Sequence, residues 1–127
     1  MTYFLLGLGS NIEPEKHLEL AREALAKEGT LVALSPALIT EPVGDTFDGS
    51  FGNQLAIFQC ELPAPMLKHR LQLIEQSLGR EPKSPARKTR DRTIDLDIIA
   101  EADSLEAARK IAPEESYYAE VYKAWND

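Results

Sequence analysis

Hydrophobic positions in the first hundred residues follow strand-like and helix-like spacings in turn. A short, almost wholly apolar run over residues 3–9 is typical of a central strand. Residues 53–61 are apolar on both alternating faces, which indicates an interior strand. Apolar residues three and four apart predict one helix over 14–28 and a second from Pro63 to its stop at Gly79.

Two further stretches complete the pattern. Residues 31–40 predict one strand, and Pro36 inside it removes a ladder donor, so we expect this strand at an edge or with a bulge. Residues 93–99 alternate strictly and are rich in β-branched side chains, which predicts the last strand. The order strand, helix, strand, strand, helix, strand predicts an α+β fold, the ferredoxin-like βαββαβ sandwich, with an antiparallel sheet and its helices on one face.

Beyond residue 99 the spacing is helical, which predicts extra C-terminal helices. A stripe of four large residues has the spacing i, i+3, i+4, i+7. An aromatic stripe of this kind is more often core than a platform for a ligand, and we expect it to be core here. The stripe consists of Tyr118, Val121, Tyr122 and Trp125.

The last strand carries a pair of carboxylates on one face. Because successive side chains of a strand point to opposite faces, Asp95 and Asp97 share a face while Leu96 lies on the other. Their backbones are about 6–7 Å apart, close enough for both to hold one hard cation such as Mg²⁺ together with substrate oxygens. The alternative is a solvated edge strand with two exposed acids.

The stretch before this strand is basic, although the chain carries a net charge of −7. Residues 80–92 hold six basic side chains against two acidic ones. Arginines beside a cation site suit phosphoryl transfer, since they clamp phosphate oxygens while the cation neutralises developing charge. The alternative is a solvated basic loop.

Two local features have simpler interpretations. Gly7-Leu8-Gly9-Ser10-Asn11 breaks the first apolar run and predicts a strand-to-helix turn, but Ile12 stands where a dinucleotide-binding motif needs its third glycine. His17 lies beside the apolar stripe of the first helix without a second ligand at metal spacing, and we expect it on the surface.

Composition limits the class of protein. A chain of 127 residues is long enough for one domain, spanning 1–127, and 21 acidic against 14 basic residues argue against a nucleic-acid partner. No basic-then-apolar leader and no long apolar run occur, so we expect a cytoplasmic protein without a membrane partner. We expect a monomer or a weak homodimer.

Five motifs occur in an order and spacing that resemble the 6-hydroxymethyl-7,8-dihydropterin pyrophosphokinase family. The resemblance covers residues 1–99, and the tail 100–127 diverges. The motifs are Gly7-Leu8-Gly9-Ser10-Asn11, Thr40-Glu41-Pro42-Val43-Gly44, Phe51-Gly52-Asn53, the run from Ile74 to Arg80, and the run from Arg92 to Ile98.

The resemblance implies transfer of diphosphate from ATP to the hydroxymethyl group of a reduced pterin in folate biosynthesis, with release of AMP. Asp95 and Asp97 would hold two Mg²⁺ ions, and Arg80 and Arg92 would act as the catalytic clamps on the phosphates. The partners would be small molecules, ATP and the pterin.

The resemblance also implies two sets of binding residues. For the pterin these are Thr40, Val43, Gly44, Phe51 and Asn53, with Phe51 stacking on the ring and Asn53 reading its edge. For ATP they are Gln72, Glu75, Arg80, Arg92 and Ile98. Without the resemblance, the first set would be a turn and a core phenylalanine, and Gln72 and Glu75 would be ordinary helix-surface residues.

The tail lacks what the family usually carries after the last strand. Residues 100–127 contain neither the histidine nor the phenylalanine that complete the nucleotide and pterin sites in the family. This departure leaves an alternative open: a non-catalytic or altered-substrate relative that acts as a small ligand-binding or interaction module on the same fold.

Overall fold

The structure is a computed structural model that describes residues 2–40, 51–79 and 94–126. These ranges contain strands and helices in an order that extends the predicted one. The strands are β1 (Thr2–Ser10), β2 (Thr30–Leu34), β3 (Leu38–Thr40), β4 (Phe51–Cys60) and β5 (Asp95–Ala102). The helices are α1 (Pro14–Glu28), α2 (Ala64–Ser77), α3 (Leu105–Arg109) and α4 (Ser116–Asn126).

All strand pairs in the sheet are antiparallel. β1 lies in the middle and pairs with β4 on one side and with β5 on the other, and both β2 and β3 pair with β4. The resulting order, β2-β4-β1-β5, is that of the split βαβ arrangement, because β4 lies between the two strands that α1 connects. The predicted α+β, ferredoxin-like fold is confirmed.

The helices α1 and α2 cover the first face of the sheet. Phe4, Leu6 and Leu8 of β1 point to this face and are buried against both helices. Burial of these side chains and their helical counterparts supplies most of the hydrophobic stabilisation on this side. The helical counterparts are Leu18, Ala21 and Leu25 of α1 and Leu67, Leu71 and Ile74 of α2.

The helices α3 and α4 cover the second face. Tyr118 and Val121 of α4 are buried with Leu5, Leu55 and Ile57 of the sheet. The aromatic stripe of the tail is therefore core, as its spacing predicted. The face that the βαββαβ pattern alone leaves open is covered by α4 along β4 and by α3 along β1 and β5.

The predicted strand over residues 31–40 is interrupted at Ser35. Its hydroxyl accepts a hydrogen bond from the Leu55 amide at 2.8 Å, and its own amide donates to the Leu55 carbonyl at 2.9 Å. The chain therefore leaves β2 before Pro36, which has no amide to donate, and rejoins the sheet as β3.

Two other expectations need correction. The turn predicted over Gly7 to Asn11 begins later, since β1 continues through both glycines to Ser10, and the chain turns where the Ser10 hydroxyl donates to the Ile12 carbonyl at 3.0 Å. His17 is buried, and its Nδ1 lies within hydrogen-bonding distance of the Ile12 carbonyl oxygen. The imidazole thus closes the connection between β1 and α1.

Within the parts of the chain that the structure describes, none of the helices has the length and apolar character needed to cross a membrane.

Candidate active site

The register of β5 against β1 determines on which face of the sheet the side chains of the acidic pair lie. Asp95 lies opposite Gly9 and Asp97 lies opposite Gly7, whereas Leu96 and the residues paired with it face α1 and α2. Both carboxylates therefore stand on the second face of the sheet, beside two residues that have no side chain. Asp95 is half-buried and Asp97 is exposed.

The register of β4 brings Asn53 to the other side of the same glycines. Asn53 lies opposite Gly9, and its Oδ1 is 3.1 Å from the position that a Cβ on Gly9 would occupy. An amide on β4 and a carboxylate on β5 thus flank one glycine of β1. Phe51 has the same strand parity as Asn53, is half-buried, and pairs with Thr40 of β3.

The ring of Tyr118 of α4 fills the space over β1, between Asn53 of β4 and the acidic pair of β5. A Cβ placed on Gly7 would lie 2.6 Å from Cε2 and 2.8 Å from the hydroxyl oxygen of Tyr118. No real Cβ approaches other atoms so closely, so the absence of a side chain at Gly7 is what admits the ring. Tyr118 is 1% exposed.

The hydroxyl of Tyr118 lies in an unusual electrostatic position. Among the described residues it has no hydrogen-bond partner. Burial, and then the negative charges of Asp97 and Asp95, raise the pKa of this hydroxyl. Tyr118 is therefore held in its neutral form, as a potential hydrogen-bond donor on the same face of the sheet as the acidic pair.

Glu75 acts on the strand that carries the acidic pair. It is buried on α2, and its carboxylate accepts a hydrogen bond from the Leu96 amide at 2.7 Å. Because Leu96 lies between Asp95 and Asp97, this bond holds the strand segment from which both carboxylates project. Glu75 was expected beside the nucleotide or on the helix surface, and the structure gives it this contact in the core.

The other nucleotide-side candidates lie apart from the acidic pair. Gln72 is exposed on α2, and the half-buried side chain of Ile98 packs against the core on the first face. The sheet separates these two side chains from those of Asp95 and Asp97. Four predicted site residues, Val43, Gly44, Arg80 and Arg92, lie outside the described residues, as does the side chain of Thr40.

The donor set suits a hard cation that shares its coordination with a substrate. Across residues 2–40, 51–79 and 94–126, no group of three or more His, Cys, Asp or Glu side chains could hold a metal. The two carboxylates of β5 match the preference of Mg²⁺, which takes one or two protein carboxylates and completes its octahedron with water and phosphate oxygens.

Sequence reasoning did not predict the contact between Tyr118 and Gly7 beside the acidic pair. Their contact joins β1 to a helix more than a hundred residues later, and no local spacing encodes such a pairing. The signal that was available was a glycine inside an otherwise apolar run, which often marks a close approach by another group.

The chain is similar in sequence to known pyrophosphokinases. Residues 5–122 match the family of 7,8-dihydro-6-hydroxymethylpterin-pyrophosphokinase (HPPK), and the match includes α3 and the first part of α4. The chain is 37% identical over 102 residues to the 2-amino-4-hydroxy-6-hydroxymethyldihydropteridine pyrophosphokinase of Porphyromonas gingivalis, covering 78% of this chain and 69% of that protein. It is 35% identical over 108 residues to the protein of the same name from Pseudomonas aeruginosa, covering 79% of this chain and 62% of that protein.

The chain therefore spans about two thirds of the length of these relatives. The fold and the matches together define the class of protein, a diphosphokinase of the transferase type. The chain belongs to the 7,8-dihydro-6-hydroxymethylpterin-pyrophosphokinase family.

Proposed function

We propose that this protein transfers diphosphate from ATP to 6-hydroxymethyl-7,8-dihydropterin in folate biosynthesis, in a reaction that depends on Mg²⁺. Membership of the pyrophosphokinase family and the names of the relatives support the reaction type and the pterin. The observation that supports the assignment to particular residues is that Asp95, Asp97 and Asn53 share one face of the sheet, with Asp95 and Asn53 on either side of Gly9.

Asp95 and Asp97 would hold the cations, and we propose two Mg²⁺ ions. When bound, Mg²⁺ neutralises the negative charge of the triphosphate and of the transferring group. The acidic pair suits this role because Mg²⁺ prefers one or two protein carboxylates. The hydrogen bond that the Leu96 amide donates to Glu75 fixes the backbone between the two aspartates.

The pterin would lie near the end of β4. Phe51 offers an aromatic ring for stacking, and the Asn53 amide can donate to and accept from a heterocyclic edge. Thr40 is the ladder neighbour of Phe51, which places its backbone beside the proposed ring site. Val43 and Gly44, which follow Thr40 closely in the sequence, remain proposed pterin contacts.

Arg80 and Arg92 would clamp the phosphates. Their positive charge suits the negatively charged oxygens of the diphosphate group while it is transferred from ATP to the pterin. Gln72 and Ile98 remain proposed contacts of the nucleotide. For Glu75 the geometry supports an indirect role, because its carboxylate is engaged with the Leu96 amide.

The chemistry needs no nucleophile from the protein. The hydroxymethyl oxygen of the pterin attacks the β-phosphorus, the bond between that phosphorus and the bridging oxygen to the α-phosphorus breaks, and AMP leaves with the bridging oxygen. The hydroxyl proton passes to solvent. The protein contributes by holding the two substrates in line and by balancing charge.

A direct assay tests the proposal. Purified protein is incubated with ATP, Mg²⁺ and the reduced pterin, and AMP and the pterin diphosphate are quantified by chromatography and ³¹P NMR. The proposal predicts equal amounts of both products, and none when EDTA or a pterin without the hydroxymethyl group is used. Tight binding of both substrates without any AMP would contradict it.

A non-catalytic ligand-binding relative is the second candidate. Two observations favour it: residues 100–127 lack histidine and phenylalanine, and the ring of Tyr118 fills the space above Gly7 next to the acidic pair. The same assay separates the candidates, because this relative would bind Mg²⁺ and nucleotide but leave ATP intact.

A further inference from the structure

The ring and the hydroxyl of Tyr118 lie in different environments. The ring is buried in the second-face core with Leu5 and Leu55, where any aromatic ring of the same size would fill the space. The hydroxyl is buried without a hydrogen-bond partner among the described residues, and such a group costs folding free energy.

The hydroxyl oxygen lies against the segment of β1 that pairs with the acidic pair. This oxygen lies 2.8 Å from the Cβ position of Gly7 and 3.5 Å from that of Gly9. These two glycines are the ladder partners of Asp97 and Asp95. The unpartnered donor therefore lies over the strand segment that faces both carboxylates.

Asp97 and Asp95 also influence Tyr118 most strongly among the charged groups. After burial, their charges are the largest causes that raise the pKa of the Tyr118 hydroxyl, ahead of Tyr117 and Glu115. The O–H is thus kept protonated next to two acceptors. Carboxylates that ligate metals characteristically accept a further hydrogen bond from a neighbouring group, which fixes their orientation.

We propose that Tyr118 is a positioning residue for the acidic pair, and that its hydroxyl donates a hydrogen bond to a pair carboxylate, Asp97 in first place, when a divalent cation is bound. The inference rests on the proposed function for the cation itself. It goes beyond that function by assigning the buried hydroxyl of α4 to the site.

Removing only this hydroxyl should change stability and binding in opposite directions. Tyr118→Phe keeps the ring on Gly7 and deletes the unpartnered oxygen, so the protein without cation should be equally stable or more stable. The same change removes the proposed donor to the carboxylate, so cation affinity should fall by about 10- to 100-fold. A purely structural tyrosine would not give this combination.

The test measures both quantities in the full chain. Mg²⁺ is titrated by calorimetry at a fixed concentration of the α,β-methylene analogue of ATP. In this analogue a methylene group replaces the oxygen that bridges the α- and β-phosphorus atoms, so the diphosphate cannot be transferred. Thermal unfolding is followed without cation or nucleotide. The matched control is Tyr122→Phe, which removes a hydroxyl one turn further along α4 against the same core.

The proposal predicts that Tyr118→Phe binds Mg²⁺ at least about tenfold more weakly, with an unchanged or higher unfolding temperature, while Tyr122→Phe leaves Mg²⁺ affinity unchanged. Wild-type affinity in Tyr118→Phe overturns the inference but leaves the cation site intact. Weaker binding that is accompanied by an unfolding temperature below that of Tyr122→Phe also overturns it, since Tyr118 would then be structural. If the wild type shows no Mg²⁺ dependence, the proposed function fails and this inference fails with it.

Discussion

The ring of Tyr118 lies directly on Gly7, and the two residues fit only because Gly7 has no side chain. A Cβ at that position would lie 2.6 Å from Cε2 of Tyr118 and 2.8 Å from its hydroxyl oxygen. Gly7 is ordinary strand backbone within β1 rather than a turn residue. The contact joins the central strand to α4 at the level of Asp97, so packing on the second face and the geometry of the acidic pair are linked.

Gly7→Ala should destabilise the protein by about 1–3 kcal/mol, because the added methyl group overpacks a closed contact. The measurement is the free energy of unfolding in urea. Repeating the substitution in a Tyr118→Leu background, which removes the aromatic ring, should give a clearly smaller cost. An identical cost in both backgrounds would show that Gly7 is required for a reason other than Tyr118.

Glu75→Ala should destabilise the protein by about 1–3 kcal/mol, since the Leu96 amide loses its buried acceptor. Hydrogen exchange at the Leu96 amide should become faster, and the effect on unfolding is measured with urea. Gln76→Ala, on the exposed side of the same helix, serves as the control and should change neither quantity. Unchanged protection of the Leu96 amide in Glu75→Ala would contradict the assigned contact.

Tyr118 should make the protein lose stability at alkaline pH. Its pKa is raised in the folded state, whereas the unfolded chain ionises near its ordinary value of about 10. The contribution of the Tyr118 hydroxyl to the free energy of unfolding is therefore complete below about pH 10. It is lost as the pH rises towards the pKa in the folded protein, by at most about 1.4 kcal/mol per pH unit. Burial is the largest cause that raises this pKa, and the charges of Asp97, Asp95, Tyr117 and Glu115 add to it.

The measurement is the free energy of unfolding of the wild type and of Tyr118→Phe between pH 9 and pH 11.5. The difference between the two should grow steadily above about pH 10, because only the wild type carries this hydroxyl. Parallel pH profiles would show that the Tyr118 hydroxyl ionises as readily in the folded protein as in the unfolded chain.

Arg92→Ala should lower kcat by about 100- to 1,000-fold, because a clamp on the transferring phosphate acts chiefly in the transition state. ATP binding should weaken much less. Steady-state kinetics and a separate nucleotide titration give the two values, and Lys68→Ala, an exposed basic residue on α2, is the charge-matched control. Equal losses in turnover and in binding would reduce Arg92 to an electrostatic anchor.

The features that depend on local periodicity could be predicted from the sequence. The helix over 14–28 has the bounds found in the structure, because its apolar spacing and the following Gly29 define both ends. The common face of Asp95 and Asp97 follows from strand alternation alone.

The features that depend on contacts between distant parts of the chain could not be predicted. The break at Ser35 is stabilised by hydrogen bonds to Leu55, twenty residues later. Glu75 looks like a surface residue of a helix until β5 brings the Leu96 amide to it. The position of α4 on the second face depends on the fit of Tyr118 to Gly7. Amphipathic spacing predicts that one side of a helix is buried, but it does not identify the surface against which that side packs.

The central claim is that Asp95 and Asp97 form the cation site through which the protein binds the triphosphate. The most direct measurement is binding of the α,β-methylene analogue of ATP, with and without Mg²⁺, to the wild type, Asp95→Asn and Asp97→Asn. The amides keep the size of the carboxylates and remove their charge. The account predicts that Mg²⁺ strengthens binding to the wild type and that each variant binds the Mg²⁺ complex more weakly by at least about tenfold, or 1.4 kcal/mol. Equal affinity and equal Mg²⁺ dependence in all three proteins would contradict it.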